Sequence, residues 1–104
     1  MRIIKTKIND LFLIKPSIYK DERGYFFESF NQKIFDQNIG QNITFVQDNQ
    51  SLSSKNILRG LHFQKPPHGQ SKLVSVIKGS VLDVVVDIRK NSNTYGQYII
   101  EELN

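Results

Sequence analysis

Hydrophobic and polar residues alternate with a period of two along most of this chain. The alternating runs are rich in Ile, Val, Phe and Tyr and are separated by Gly, Pro, Asn, Asp or Ser, a pattern typical of β-strands joined by turns. They cover residues 2–8, 11–20, 24–30, 43–49, 57–64, 71–79, 81–89 and 96–103. Short strands at such regular spacing predict an all-β sandwich or barrel with antiparallel pairing.

One segment departs from this alternation. In NQKIFDQN, residues 31–38, Asn31 can cap a helix while Ile34 and Phe35 pack inward, so we predict a single short helix there. No repeat, linker or low-complexity tract divides the chain, and residues 1–104 are predicted to form one domain. The last run, YIIEELN, predicts a strand that needs a partner, supplied by another subunit or by further chain.

Composition narrows the functional classes. The chain has 104 residues, a net charge of +4 and no cysteine, which excludes disulfides and thiolate metal sites. Its basic residues are scattered rather than clustered, which argues against nucleic-acid binding. No apolar run reaches the roughly 20 residues that span a bilayer, and the first residues do not resemble a signal peptide. We therefore expect a cytoplasmic protein that binds neither nucleic acid nor membrane.

Charged residues interrupt the apolar runs between Leu58 and Arg89. These are Arg59, His62, Lys72, Asp83 and Asp87. Burying a charge is costly unless the charge is paired or used, so we expect this stretch to supply inner strands whose charged side chains line a ligand cavity.

Arg59 and His62 would point to opposite faces of a regular strand. A bulge at Gly60, between them, would bring both side chains to one face. Taken alone, a hydrogen-bonded core histidine and an edge arginine account better for this pair. For His68, in the loop KPPHGQ, a solvated position is the better account.

Six sequence blocks together resemble one enzyme family. They are DERGYF (21–26) with Glu28, FVQDNQSLS (45–53), LRGLHFQKPP (58–67), QSKLV (70–74), KGSVLDVVVDIR (78–89) and NSNTYG (91–96). In order and spacing they closely resemble the dTDP-4-dehydrorhamnose 3,5-epimerase family over nearly the whole chain. The resemblance implies a cupin-type jelly roll that uses no metal or cofactor. It also implies conversion of dTDP-4-dehydro-6-deoxy-D-glucose to dTDP-4-dehydro-L-rhamnose, in dTDP-L-rhamnose biosynthesis.

The resemblance assigns two catalytic residues. His62 matches the family's general base, since a histidine with an ordinary pKa near 6.5 can accept a proton at neutral pH. The proton is taken from a carbon next to the sugar ketone, which leaves an enolate. Lys72 matches a cation beside the enolate oxygen, where a fixed positive charge stabilises the developing negative charge. Without the motif, a solvated lysine at a strand end would be the preferred account of Lys72.

The resemblance also assigns the substrate-binding residues. Arg23 and Arg59 match residues that hold the diphosphate, for which the guanidinium group is suited. Glu28, Gln47 and Asn49 match residues around the nucleotide, where carboxylate and amide groups can pair with thymine or sugar. Phe26 is a candidate stacking surface, with core filling as the alternative. Asp48 belongs to the same binding set, although an Asx turn would also explain it.

Family members run well beyond 104 residues, which makes the jelly roll of these residues incomplete. The resemblance places a catalytic tyrosine acid, a further histidine and the aspartate that pairs with His62 beyond Asn104, so we expect residues 1–104 alone to be inactive. It also implies a homodimer with exchanged amino-terminal strands, in which Arg23, Phe26 and Glu28 reach the partner's nucleotide.

Three alternatives stay open. A metal-dependent cupin would need an H-x-H pattern followed by Glu, but this chain has His62 and Gln64, with Lys72 in the place of the Glu. A lysine ammonium has no lone pair to offer a metal. An epimerase of one carbon, or a ketoisomerase of another deoxysugar nucleotide, would keep the same motifs. A non-catalytic sugar-nucleotide binding fragment is the third alternative.

Overall fold

The structure is a computed structural model that describes residues 1–40 and 43–104. Its strands are β1 (Arg2–Lys5), β2 (Phe12–Lys15), β3 (Ile18–Asp21), β4 (Gly24–Phe27), β5 (Val81–Val86) and β6 (Tyr98–Leu103), and its helix is α1 (Gln32–Ile39). The strands pair antiparallel as β1–β2, β3–β4 and β5–β6. The predicted all-β class with little helix is thereby confirmed.

The chain divides into two compact units. We call Met1–Gln41 with Ser75–Asn104 the hairpin unit, and Asn42–Val74 the central segment. Every strand and the helix named above lie in the hairpin unit. The prediction of a single domain over residues 1–104 stays a prediction.

The run predicted over residues 11–20 is split in the structure. Its first part is β2, which pairs with β1, and its second part is β3, which pairs with β4. Pro16 lies between them, and proline has no N–H to contribute to a strand ladder. The break at Pro16 therefore makes two hairpins from one hydrophobic run.

The predicted helix is confirmed with its cap. Asn31 has an extended backbone, and its side-chain oxygen accepts a hydrogen bond from the Ile34 N–H at 3.1 Å. The helix ends at Gly40, whose φ of 71° is a left-handed conformation that favours glycine. Phe35 is buried on the inner face, and its ring centroid lies 5.8 Å from that of Phe30. The cap and the apolar face thus act as the sequence predicts.

The strands predicted over residues 43–49, 57–64 and 71–79 are wrong as strand assignments. The structure describes residues 43–80 without a strand, although their side chains follow the alternating pattern. Alternation provides two chemically different faces, but a strand also needs a second backbone for its N–H and C=O groups. The run at 96–103 has such a neighbour, because β6 pairs with β5 from Val86↔Tyr98 to Val81↔Leu103. The expectation that its partner is supplied by another subunit or by further chain is therefore wrong for this edge of β6.

Few apolar side chains are buried in the described residues. Ile8 and Phe35 retain 4% and 6% of their accessible surface, whereas Leu58 retains 92%. None of the described helices has both the length and the apolar character needed to cross a membrane.

Candidate functional site

The hairpin of β3 and β4 presents Arg23 at its tip. Asp21 and Gly24 form the last pair of the ladder, so Glu22 and Arg23 make the connecting turn. Gly24 has φ of 135°, a conformation that a side chain would strain. The glycine in DERGYF therefore lets the chain reverse immediately after Arg23.

Asp21 holds Arg23 through both its backbone and its side chain. Asp21 Oδ1 accepts the Arg23 backbone N–H at 2.9 Å, and Oδ2 accepts Arg23 Nε–H at 3.1 Å and an N–H of Nη2 at 2.5 Å. The side-chain hydrogen bond from Arg23 lowers the pKa of Asp21 below its ordinary value, and the same contact raises the pKa of Arg23. The pair is solvent-exposed, so Arg23 is oriented while it remains open to a ligand.

Phe26 lies on the same hairpin as Arg23. It pairs across the strands with Tyr19, and the two aromatic side chains are 71% and 67% exposed. On the opposite face, the rings of Tyr25 and Phe27 stack with centroids 6.0 Å apart. An open concavity of about 440 Å³ is lined by residues 19–21 and 23–26. The structure thus brings Arg23 and Phe26 together, and a cation beside exposed rings suits an aromatic, anionic ligand.

Glu28 follows β4 directly and is exposed. Its position, one residue after the hairpin, leaves the carboxylate accessible to a hydrogen-bond donor. With Arg23 and Phe26, it completes the set of predicted site residues in the hairpin unit.

The amide side chains of the central segment contact each other. Gln47 Nε2 donates to Asn49 Oδ1 at 3.2 Å, which places both amides on one side of the intervening Asp48. All three residues are exposed. The Gln47 carbonyl oxygen and the Asn49 amide nitrogen take no part in this bond, so both can pair with the polar edge of a ligand.

Arg59 is anchored within the central segment. Its Nε donates to Ser53 Oγ at 2.9 Å, and its Nη2 donates to the Leu52 carbonyl at 3.2 Å. These contacts leave the N–H groups of Nη1 for an anion. The central segment therefore carries an exposed, oriented guanidinium group, and the diphosphate-binding role of Arg59 stays a prediction.

His62 and Lys72 are both exposed in the central segment. The backbone before His62 turns at Gly60, where φ is 116°, so the predicted alternation is interrupted at that glycine. A Cβ built on Gly60 would lie 3.8 Å from His62 Cδ2, so the imidazole packs beside the glycine. The sharing of one face by Arg59 and His62, and the catalytic roles of His62 and Lys72, stay predictions.

Asp87 does not line a cavity, contrary to the expectation for charges between Leu58 and Arg89. Its side chain is 1% exposed and is surrounded by donors. Arg89 Nε and Nη2 donate to it at 2.9 and 3.1 Å, and the hydroxyls of Ser92 and Thr94 donate to Oδ2 at 2.5 and 2.6 Å. Hydrogen bonds from Arg89, Ser92 and Thr94 hold the pKa of Asp87 well below its usual range. The carboxylate is saturated, so its role is structural.

Arg89 extends this cluster to a distant turn. Its Nη1 donates to Asp10 Oδ2 at 3.0 Å and its Nη2 donates to the Asn9 carbonyl at 2.9 Å. The cluster therefore ties the turn between β1 and β2 to the end of β5. The sequence signal for this arrangement is the block NSNTYG, because its Ser and Thr hydroxyls follow Asp87 closely enough to donate to it.

The amino-acid sequence of the chain is similar to one family of enzymes. The sequence pattern of the family described as dTDP-4-dehydrorhamnose 3,5-epimerase matches residues 5–104. A dTDP-4-dehydrorhamnose 3,5-epimerase of Salmonella typhimurium is 54% identical over 99 residues, which cover 95% of this chain and 54% of that protein.

Two solved structures are similar over nearly the whole chain. The crystal structure of a dTDP-4-dehydrorhamnose 3,5-epimerase from Elizabethkingia anophelis has a TM-score of 0.93 and 50% identity, covering 100% of this chain and 57% of that one. An epimerase from Legionella pneumophila, solved with dTDP-4-keto-L-rhamnose, also has a TM-score of 0.93 and 50% identity, covering 99% and 54%. The chain thus spans about half the length of the curated relatives it matches.

Proposed function

Because this chain belongs to the dTDP-4-dehydrorhamnose 3,5-epimerase family, we propose that its protein converts dTDP-4-dehydro-6-deoxy-D-glucose to dTDP-4-dehydro-L-rhamnose without a metal or cofactor. The observation that carries the proposal is the family match over residues 5–104, which includes every candidate catalytic and binding residue. The Legionella relative solved with dTDP-4-keto-L-rhamnose supports the same class of ligand.

The proposed reaction begins at the carbons that flank the sugar ketone. His62 removes a proton from such a carbon, because loss of that proton gives an enolate whose charge is shared with the ketone oxygen. The Lys72 ammonium stabilises that oxygen. A proton delivered to the opposite face by the tyrosine acid that the family resemblance places beyond Asn104 inverts the carbon. His62 releases its proton to solvent and the acid is reprotonated from solvent, and repetition at the other flanking carbon completes a 3,5-epimerisation.

The remaining site residues bind the nucleotide. Arg23 and Arg59 hold the diphosphate, and the contacts of each guanidinium with Asp21 or with Ser53 limit its freedom before the ligand arrives. Phe26 packs against the thymine base. Four residues with carboxylate or amide side chains pair with the base and the sugar. They are Glu28, Gln47, Asp48 and Asn49.

The proposed fold is the cupin-type jelly roll of a single domain, which these residues form only in part. The similarity to solved epimerases supports it. We propose a homodimer with exchanged amino-terminal strands, located in the cytoplasm, and no catalysis by residues 1–104 alone.

Solvent deuterium incorporation tests the proposal. The protein expressed from the reading frame that encodes this chain is incubated with dTDP-4-keto-6-deoxyglucose in deuterated water and followed by NMR. Deuterium at both the third and fifth carbons is expected, with none from residues 1–104 expressed alone. Incorporation at one carbon would identify a single-carbon epimerase instead. Binding of dTDP without any incorporation would leave a sugar-nucleotide binding protein, and absence of both would refute the proposal.

A further inference from the structure

Asp21 is not among the residues proposed to contact the substrate, yet it controls the conformation of Arg23. Its carboxylate takes the Nε and Nη2 groups of Arg23 through one oxygen and the Arg23 backbone N–H through the other. The side chain of Arg23 is 84% exposed, so an isolated arginine at this turn would sample many rotamers. Asp21 removes much of that freedom before any ligand binds.

We propose that Asp21 is a positioning residue that presents Arg23 to the diphosphate of the substrate, an inference that rests on the proposed function. The contacts with Asp21 occupy the Nε side of the guanidinium. Both N–H groups of Nη1 and one of Nη2 remain, and an arginine binds phosphate best when such donors are presented together in a fixed plane.

The negative charge of Asp21 would have the opposite effect on nucleotide affinity. Asp21 also brings a negative charge next to Arg23, which would weaken attraction to an anion. The pair is exposed, and water and salt reduce this repulsion, whereas the hydrogen-bond geometry acts at contact distance. Positioning therefore outweighs neutralisation, and removal of the Asp21 charge weakens nucleotide binding.

The substitution Asp21→Asn separates the two effects. Asparagine keeps an oxygen for the Arg23 backbone N–H, so the turn is retained, but it loses the charged partner of Nε and Nη2. We expect dTDP to bind about two- to fivefold more weakly by calorimetry, in line with the coupling of exposed ion pairs. For the 4-keto sugar nucleotide, KM rises while kcat is retained, because Asp21 acts on binding and not on proton transfer.

Glu22→Gln is the matched control. Glu22 occupies the same turn and carries the same charge, but it receives no hydrogen bond from Arg23 in the described structure. Its loss should leave dTDP affinity unchanged or slightly increased. In an Arg23→Gln background, Asp21→Asn should have no further effect on affinity, because the residue it positions is gone.

Three results would overturn the inference. They are wild-type or tighter dTDP binding by Asp21→Asn, an equal loss from Glu22→Gln, and an undiminished loss in the Arg23→Gln background. If the wild-type protein binds dTDP and Asp21→Asn binds it with the same affinity, only the positioning role of Asp21 is refuted. Failure of the wild-type protein to bind dTDP refutes the proposed function and this inference together.

Discussion

The hairpin unit and the central segment have similar hydrophobic patterns but different structures. In the hairpin unit, alternating runs form β1 to β6, each paired with an antiparallel neighbour. In the central segment, the run at 57–64 is exposed and the run at 43–49 is exposed except for the half-buried Ile43 and Phe45, and neither forms a strand in the part of the chain that the structure describes. Alternation is therefore a necessary feature of these strands, and the availability of a second backbone decides whether they form.

Two sets of polar side chains, one in each unit, also differ in their surroundings. In the hairpin unit, Asp87 is buried and takes hydrogen bonds from Arg89, Ser92 and Thr94. In the central segment, His62 and Lys72 are exposed. The first arrangement stabilises the fold and leaves no capacity for a ligand, whereas the second leaves groups available for chemistry. We expect substitutions at Asp87 and at His62 to separate stability from activity.

The largest expected effect is on catalysis, in the central segment. His62→Asn in the protein expressed from its full reading frame should lower deuterium incorporation about 10²–10⁴-fold, because asparagine cannot accept the proton. The midpoint of thermal unfolding, Tm, and the affinity for dTDP should hardly change, since His62 is exposed. His68→Asn, in the neighbouring loop, is the control and should retain activity. A clear fall in Tm that accompanies the loss of activity in His62→Asn would contradict the separation of stability from activity.

The next effect is on stability, in the hairpin unit. Asp87→Ala leaves the Arg89 guanidinium and the hydroxyls of Ser92 and Thr94 without their acceptor, so Tm should fall by at least about 5 °C. Asp83→Asn, within β5 and four residues before Asp87, is the control. Asp83 pairs with Glu101 across the ladder, and opposed carboxylates repel, so its neutralisation should not lower Tm.

The effect of Asp87 should also depend on pH. Its pKa is lowered in the folded state by the hydrogen bonds from Arg89, Ser92 and Thr94, so the unfolded state binds the proton more tightly. The stabilisation is complete above the unfolded pKa of about 3.9 and is lost as the pH falls below it. Thermal scans from about pH 7 to about pH 2 should show the difference between wild type and Asp87→Ala shrinking below about pH 4. A constant difference over that range would contradict this assignment.

The smallest expected effect concerns the helix cap. Asn31→Ala removes the acceptor of the Ile34 N–H and should reduce the free energy of unfolding by about 1 kcal/mol, measured by urea denaturation. Asn38→Ala, at the other end of α1, removes only an exposed bond to the Ile34 carbonyl and should cost less. Equal costs would indicate that α1 is held by packing of Phe35 and not by its cap.

Local interactions explain which parts of the fold could be predicted. The helix cap depends on residues close in sequence, namely Asn31 and Ile34. The hydrophobic pattern accounts for the inward position of Phe35 and for the strands Val81–Val86 and Tyr98–Leu103. The break at Pro16 has a local signal as well, the missing proline N–H, although the hydrophobic pattern of residues 11–20 is continuous across it. Strand formation between residues 43 and 79 was mispredicted, because pairing depends on residues that are distant along the chain.

The sequence by itself determined the family, the all-β class and the types of residue available for the chemistry, since these depend on the order and spacing of side chains. Only the tertiary structure revealed that the Asp87 carboxylate accepts hydrogen bonds from Arg89, Ser92 and Thr94. It also revealed that Asp21 orients Arg23. A carboxylate has the same formal charge in a ligand site and in a saturated cluster. Its role is decided by which donors the folded chain brings within hydrogen-bond distance, and for Arg89 those partners include a turn 79 residues away in sequence.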